Sequence, residues 1–342
     1  MRGFAVILFI AVILTAGVAQ AQYPRGVMAE DGTATWCTYC PYAYAGLDVM
    51  LNTYDATEFN SVRYYATSGG LGSAETDARI SYYAIGGFPT VLFDGLNPVV
   101  GGSSETATGS LYDPLIRKDL GSPSPFKITI NSVDLVQPDG SLDCTVEVMD
   151  GLSDIGNMKI RAVLLENNVT YSSVVHDEVT RDVLPDVNLT VSALGQTQNV
   201  VASFALTPSW VTANLWMVVF IQDDDTKEIL QSVSTRVRPN YSIRYWAKGP
   251  RVVVQSPNSP AFDFQDFAIY NLGTNPDVIR ATLTPGTLPS GWSVSFTDGT
   301  NTYTDYADVS LAAGEGRVFH MTVTPGASGY AQPKIPRDRP PS

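Results

Sequence analysis

The sequence predicts an α/β domain followed by two all-β sandwich domains, and three observations support this prediction. Residues 22–120 mix helical and strand periodicities, whereas the residues beyond them contain short runs of β-branched side chains. The composition includes 28 Gly and 22 Pro residues, which favour turns and short strands. A length of 342 residues exceeds that of one typical domain, so we expect two or three domains.

The N-terminus has the three features of an export signal. Arg2 carries a positive charge, an unbroken apolar run covers residues 4–14, and residues 19–21 supply the small-x-small pattern of a cleavage site. The apolar run is shorter than the roughly 20 residues that a membrane helix needs. We therefore predict a signal peptide over residues 1–21, a mature chain without a transmembrane span, and export to the periplasm, the outer-membrane surface or the extracellular space.

Helix and strand patterns alternate through residues 22–120. Apolar residues at helical spacing predict a helix over Tyr42–Tyr54, and a second helix is expected over Leu111–Leu120. Runs with strand character are expected to form three strands: Val27–Glu30, Val62–Ala66 and Thr90–Phe93. The Gly-Ser-Pro-Ser-Pro segment at 121–125 is predicted to end this domain, because its prolines cannot continue a helix.

Strand patterns predict the two remaining domains. Residues 126–236 are expected to form the first sandwich from β-branched runs separated by turn residues: Lys127–Val133, Ser141–Met149, Lys159–Glu166, Gln198–Ala205, Leu215–Gln222 and Glu228–Thr235. Residues 245–325 alternate apolar and polar side chains and are expected to form the second sandwich. Residues 326–342 are rich in Pro and Gly and are predicted to be a disordered tail.

Composition restricts the chemistry that the chain can perform. A formal net charge of −13 repels phosphate backbones, so nucleic-acid binding is not expected. Three Cys and two His exclude a multi-disulfide scaffold and zinc sites of four Cys or three His. A site of two Cys and two His is possible by number, but the four residues are scattered. We expect no metal site and no separate cofactor.

The segment Trp36-Cys37-Thr38-Tyr39-Cys40-Pro41 is the motif that carries chemistry. It lies between an expected strand and an expected helix, so Cys37 would lie at a helix N-terminus, where unpaired N–H groups and the macrodipole lower a thiol pKa. Cys37 is predicted to be the attacking nucleophile, and Cys40 to resolve the mixed disulfide. An inert structural disulfide and the beginning of a zinc site are the alternative interpretations of this spacing.

A second motif, Gly86-Gly87-Phe88-Pro89-Thr90, precedes the expected strand at 91–93. A proline that enters a strand after a glycine pair is a candidate for a cis peptide bond. With Pro89 in the cis form, the backbone of Phe88 would face the two cysteines. That backbone could then pair with an extended substrate peptide.

Together these motifs resemble the thioredoxin-like superfamily, which combines a Trp-Cys-x-x-Cys site with a cis-proline loop. The resemblance implies a catalytic acid six residues before the first Cys, which is Asp31 here; Glu30 lies beside it, and we expect only one of the two to point inward. It also implies a substrate-binding set around the two motifs: Trp36, Tyr39, Phe88, Pro89 and Thr90. The family's usual N-terminal strand and helix are missing, and its later helix proline is Ala45.

The Cys-x-Tyr-Cys-Pro form, the export signal and the trailing β-domains narrow the resemblance. Over residues 27–235 the chain resembles the bacterial outer-membrane-protein-28-related family of secreted proteins, including that family's His…Arg…Leu segment at His176, Arg181 and Leu184. The third zone resembles the immunoglobulin-like modules of secreted bacterial proteins. The expected fold class is therefore an α/β thioredoxin-like domain followed by two all-β immunoglobulin-like sandwich domains.

The leading hypothesis is a secreted thiol–disulfide oxidoreductase. It would exchange disulfides with protein thiols and disulfides through a redox-active Cys37–Cys40 pair, together with an unidentified electron-transfer partner. The alternative is a surface or outer-membrane-associated binding or structural protein whose cysteine pair has no physiological redox role. A third interpretation gives the C-terminal module a carbohydrate- or cell-wall-associated role, by analogy alone.

The remaining Cys and His residues are expected to be structural. Cys144 lies in an alternating strand and is predicted to be a buried small hydrophobe. His320 is expected to face solvent. His176 is expected to hydrogen-bond within its own domain, with Arg181 as the candidate partner.

Overall fold

The computed structural model describes residues 22–248 and 258–327. The predicted signal peptide, and all but the first two residues of the predicted tail, lie outside the described residues. None of the helices in the described ranges is long and apolar enough to cross a membrane.

The described residues form four α-helices, two short 3₁₀ turns and twenty-one strands. The helices are α1 (Cys40–Thr53), α2 (Ala74–Tyr82), α3 (Ser104–Ala107) and α4 (Asp113–Leu120), and the 3₁₀ turns are Thr67–Gly69 and Thr212–Asn214. The strands are β1 (Val27–Thr33), β2 (Phe59–Tyr65), β3 (Thr90–Phe93), β4 (Leu96–Val100), β5 (Phe126–Val136), β6 (Asp139–Val148), β7 (Met158–Glu166), β8 (Val169–Tyr171), β9 (Val174–His176), β10 (Val179–Val183), β11 (Val187–Asn188), β12 (Thr197–Ala205), β13 (Leu215–Asp223), β14 (Ile229–Ser234), β15 (Ile243–Lys248), β16 (Phe262–Asn271), β17 (Asp277–Thr282), β18 (Ser293–Thr297), β19 (Thr302–Tyr303), β20 (Tyr306–Leu311) and β21 (Gly316–Thr324).

The expected fold class, with an α/β thioredoxin-like domain preceding two separate sandwiches, is wrong. The structure is mostly β-sheet, with 46% strand and 14% helix. One sheet of nine strands runs β14-β13-β7-β10-β2-β1-β3-β4, with β11 paired to β7. Strands from both sides of the 121–125 connector therefore share this sheet. The junction is the parallel pairing of Val179 in β10 with Arg63 in β2.

Alternating side chains explain why this sheet extends across the connector. In β13, Met217 and Val219 pack into a core on one face, whereas Val218 and Phe220 pack into a core on the other. The same division holds along β7. A strand that is buried on both faces needs cover on both sides, and each buried Val, Leu or Phe side chain stabilises the fold by about 1.5–3 kcal/mol.

The first face of this sheet is covered by a second sheet, ordered β12-β6-β5. Side chains from β6, including Leu142, Cys144 and Val146, pack against Leu164 of β7 in a shared core. Cys144 is fully buried, as predicted, and burial raises the pKa of its thiol to about 11. The second zone is therefore a β-sandwich in which one layer is the large sheet itself.

The opposite end of the large sheet carries the helices. Val27 and Ala29 of β1 pack with Ala43 and Leu47 of α1 and with Ile116 of α4. The expected helix at 42–54 begins two residues earlier, at Cys40, because Pro41 has the fixed φ that suits a first helical turn. This packing holds the N-terminus of α1 next to the end of β1.

The C-terminal unit contains two further sheets, ordered β15-β16-β21-β18-β19 and β17-β20. Ile269, Phe296 and Phe319 of the first sheet pack against Ile279 and Val309 of the second. His320 lies at the surface of this unit, where its Nδ1 is 2.8 Å from Oδ1 of Asp266.

Candidate functional site

The two cysteines lie where β1 leads into α1. Cys37 and Cys40 are joined by a disulfide bond, with their Cα atoms 5.5 Å apart. The backbone N–H of Cys40, the first residue of α1, donates a hydrogen bond to Cys37 Sγ over 3.1 Å. Cys37 itself precedes the helix, which begins at Cys40, and its sulfur lies against the amino end of α1. In the reduced form, the same N–H and the helix dipole would stabilise a thiolate at Cys37.

The two sulfur-bearing residues differ in their access to solvent. Cys37 is 9% exposed and Cys40 is 0% exposed. Two aromatic side chains stand out from the surface beside them, with Trp36 61% and Tyr39 59% exposed. Cys37 is therefore the more accessible of the two residues.

The proline loop lies against the cysteine motif, and the Phe88–Pro89 peptide bond is cis, as predicted. The antiparallel pairing of β1 with β3 brings this loop close, because Gly32 at the end of β1 is opposite Thr90 at the beginning of β3. The Trp36 and Phe88 rings are 5.9 Å apart between centroids. The two motifs therefore form one surface.

The five predicted substrate-binding residues fall into two groups. Trp36 and Tyr39 are exposed and Phe88 is half-buried, so these side chains can contact a ligand. Pro89 and Thr90 are buried, and the Thr90 hydroxyl donates to the carbonyl of Gly87 over 2.8 Å. Pro89 and Thr90 hold the shape of the loop.

Asp31 is fully buried in β1, and among the described residues neither carboxyl oxygen has a hydrogen-bond partner. It alternates with Val27 and Ala29 and so lies on the face that α1 covers. Burial raises the pKa of Asp31 well above its ordinary value; the charge of Arg63 opposes this rise, and that of Glu178 adds to it. The structure does not join Asp31 to Cys40 by a hydrogen bond.

Glu30 is buried as well, so the expectation that only one of the two acids points inward is wrong. Its carboxylate pairs with Arg79 over 2.5 Å, accepts from Tyr64 over 2.9 Å and contacts the Tyr83 hydroxyl. Both acids are interior because the sheet has a core on each face. Glu30 is therefore paired with Arg79 and the two tyrosines, whereas Asp31 has no hydrogen-bond partner among the described residues.

Residues outside the two motifs also shape the site. Trp36 Nε1 donates to Ser68 Oγ over 3.3 Å, which ties the exposed indole to the turn at Thr67–Gly69. Gly102 lies so close to the carbonyl of Tyr39 that any side chain there would collide with it. The Gly101-Gly102 pair was the available sequence signal for this close approach.

The side chain of His176 bonds outside its own zone, and Arg181 is not its partner, so that prediction is wrong. His176 Nδ1 lies 3.1 Å from the Tyr65 hydroxyl in β2, and Arg181 pairs with Glu166 over 2.7 Å. The shared sheet explains this arrangement, because β10 docks directly on β2.

Comparisons with known proteins identify no family. No family model and no curated protein matches the chain. Among solved structures, HBP35 of Porphyromonas gingivalis is similar over 74% of this chain and 96% of its own, with 14% sequence identity and a TM-score of 0.49. That level of similarity supports no inference about function, so the functional proposal rests on the site itself.

Proposed function

We propose that this protein is a secreted thiol–disulfide oxidoreductase that exchanges disulfides with protein substrates through Cys37 and Cys40. The observation that carries the proposal is the asymmetry of the pair. Cys37, at 9% exposed, is the less buried of the two and its sulfur accepts an N–H at the start of α1, whereas Cys40 is fully buried. This asymmetry is what an attacking and a resolving cysteine require.

In the disulfide form, the pair accepts electrons from a substrate dithiol. A substrate thiolate attacks Cys37 Sγ, the Cys37–Cys40 bond breaks, and Cys40 leaves as a thiolate that takes up a proton. The second substrate thiolate then attacks the substrate sulfur of the mixed disulfide and releases Cys37 as a thiolate. The substrate leaves oxidised, and the enzyme holds two reduced cysteines until an electron acceptor restores the bond. The reverse sequence reduces a substrate disulfide.

Asp31 is the residue that would exchange the proton of Cys40. Asp31 lies on the face of β1 that packs on α1, whose first residue is Cys40, although the Cys40 side chain itself packs with Met28 of the other face. A buried acid with a raised pKa holds a proton at pH values where an exposed carboxyl is ionised. Asp31 acts on the second sulfur, because Cys37 has the N–H of α1 to stabilise its charge.

The rim of Trp36, Tyr39 and Phe88 is proposed to bind an extended segment of the substrate protein. Exposed aromatic rings offer a large contact area at low conformational cost, and the adjacent loop offers backbone groups for pairing. Export is part of the proposal, because a disulfide that cycles with secreted proteins needs a compartment where disulfides persist.

The experiment that tests this function is trapping. The Cys40→Ser variant keeps the more accessible thiol but cannot resolve, so it should accumulate mixed disulfides with an unfolded, disulfide-containing protein. Cys37→Ser is the matched control, and it should trap nothing because its remaining thiol is buried. Cys144→Ser should leave trapping unchanged. Equal trapping by the Cys37→Ser and Cys40→Ser variants would contradict the assignment of roles.

A structural disulfide is the second candidate, and the packing of the pair favours it. Cys37 and Cys40 belong to a hydrophobic cluster with Met28, Ala34 and Val62. A measured midpoint potential separates the two candidates. A value well below about −300 mV marks a bond that cellular thiols leave intact, and a value above about −270 mV supports exchange.

A further inference from the structure

A cavity of about 370 Å³ lies apart from the cysteine pair, where the N-terminal segment, β5 and β14 meet loops of the C-terminal unit. Its lining includes Tyr23, Lys127, Thr129, Arg238 and Thr274. This volume falls within the range of small-molecule sites, which runs from about 300 to 1,000 Å³. The cavity therefore has room for a small ligand.

The charges around this cavity are unusual for a chain with a net charge of −13. Lys127 and Arg238 both line it, and no Asp or Glu is among the lining residues that the structure describes. Neither cation belongs to an ion pair of the described residues. Glu147 is opposite Lys127 in the β5–β6 register without forming such a pair. The lining itself therefore carries two positive charges and no acidic side chain, with Glu147 nearby on β6.

Tyr23 holds the cavity in shape and adds a neutral polar group. Its backbone N–H donates to Ser124 O over 2.9 Å, and its carbonyl accepts from Ser124 N over 2.7 Å. Its ring packs edge-on against Tyr270, and Lys127 Nζ lies 5.7 Å from the ring centre. Burial raises the pKa of Tyr23 to about 12, so the phenol stays neutral beside Arg238.

We propose that this cavity binds a small anion carried on a polyhydroxylated frame, a sugar acid or a sugar phosphate. Lys127 and Arg238 neutralise the anionic group, since charge-assisted hydrogen bonds from these side chains are the strongest contacts that the lining offers. The Thr129 and Thr274 side chains and the carbonyls of Gly273 and Gly314, whose N–H groups already donate to Asn271, bind the hydroxyl groups. The Tyr23 ring supplies an apolar surface for the frame.

Calorimetric titration of the full mature chain tests the proposal, with D-glucuronate, glucose 6-phosphate, glucose and inorganic phosphate as the probes. At least one of the two sugar anions should bind more tightly than both glucose and inorganic phosphate. Tighter binding of glucuronate would identify the ligand's anionic group as a carboxylate, and tighter binding of glucose 6-phosphate would identify it as a phosphate. Lys127→Gln and Arg238→Gln should each weaken binding by about 10-fold or more, because each removes a hydrogen bond to a charged group.

Lys118→Gln is the matched control, because it removes an exposed cation from α4 and should leave binding unchanged. The Cys37→Ser/Cys40→Ser variant should also bind normally, which separates this site from the redox proposal. The proposal is overturned if neither sugar anion binds at millimolar concentration, or if glucose binds as tightly as both anions. It is equally overturned if inorganic phosphate binds as tightly as both sugar anions.

Discussion

The Tyr65 hydroxyl lies 3.1 Å from Nδ1 of His176, and the two rings meet edge to face with centroids 5.5 Å apart. Both side chains are buried. Tyr65 is the last residue of β2, near the cysteine site, whereas His176 ends the β8–β9 hairpin beyond the connector. This contact therefore joins the part of the chain that carries the cysteines to the part that follows them.

The first prediction concerns the pH dependence of stability. Burial lowers the pKa of His176, the charge of Arg63 lowers it further, and Asp177 opposes both. The unfolded chain therefore binds a proton near pH 6.5 that the folded chain resists. The contribution of His176 to stability should be complete above about pH 6.5 and should be lost as the pH drops below that value. Urea unfolding at about pH 7.5 and pH 5.5 measures the difference.

His176→Gln should reduce this loss, because glutamine cannot take up the proton. His320→Gln is the matched control at the surface of the C-terminal unit, and it should retain the His176-dependent loss. An unchanged pH dependence in the His176→Gln variant would show that other groups govern stability in this range.

The second prediction concerns the hydroxyl of Tyr65. Tyr65→Phe leaves the Nδ1 of His176 buried without its partner, so the free energy of unfolding should fall by about 1–3 kcal/mol. Tyr245→Phe removes an exposed hydroxyl from β15 and should change stability by less than about 0.5 kcal/mol. Equal effects of the two substitutions in urea unfolding would mean that the Tyr65–His176 contact contributes nothing.

The third prediction concerns Gly46 in the middle of α1. A Cβ at this position would collide with the carbonyl of Thr106 and the ring of Tyr112. Gly46→Ala should therefore destabilise the protein by about 1–3 kcal/mol, although alanine favours helix formation. Gly286→Ala is the control, since nothing lies within 4 Å of the added methyl group. A stabilised Gly46→Ala variant, measured by thermal unfolding, would contradict the close packing of α1 on α3.

Much of the site was predictable from the sequence because its signals are local. The cysteine motif, the cis bond at Pro89 and the strand runs of the second zone all depend on neighbouring residues. Helix α2 could not be predicted from the spacing of apolar residues, because two of its buried residues, Thr76 and Arg79, are polar. Local patterns of this kind reveal where elements lie along the chain.

The pairing of β2 with β10 could not be predicted in this way. All seven residues of β2 are buried, and a continuous buried run indicates a central strand without specifying its neighbours. The pairing with β10 is set by backbone hydrogen bonds between residues more than a hundred positions apart, such as Arg63 and Val179. The mistaken fold class, the partner of His176 and the burial of both Glu30 and Asp31 all follow from this missing pairing.

The fourth prediction concerns Asp31. Because the pKa of this carboxyl is raised in the folded state, its contribution to stability is present below about pH 3.9 and is lost as the pH rises toward the folded pKa. Asp31→Asn removes the buried charge. The free energy of unfolding of the variant, relative to the wild type, should therefore increase as the pH rises from about 4 to about 8. Urea unfolding across this range checks the slope.

A role in proton transfer predicts a second, kinetic effect of the same substitution. Asp31→Asn should slow the step in which Cys40 attacks the mixed disulfide by about 10-fold or more, and should alter its pH profile. Asp139→Asn removes an exposed carboxylate at the start of β6 and is the matched control. Identical kinetic profiles for Asp31→Asn and the wild type would leave Asp31 with a structural role alone.

The last prediction concerns Trp36, which is 61% exposed and held by Ser68 and Phe88. Truncating an aromatic residue at the centre of a binding surface can cost about 2 kcal/mol or more, so Trp36→Ala should raise the KM for an unfolded protein substrate by about 10-fold or more. The rate with a small disulfide such as oxidised glutathione should stay nearly constant, because that substrate needs only Cys37. Tyr241→Ala removes a comparably exposed ring far along the chain and should change neither rate. If Trp36→Ala slowed the reaction equally with the protein substrate and with oxidised glutathione, the indole would stabilise the cysteine pair and would not bind substrate.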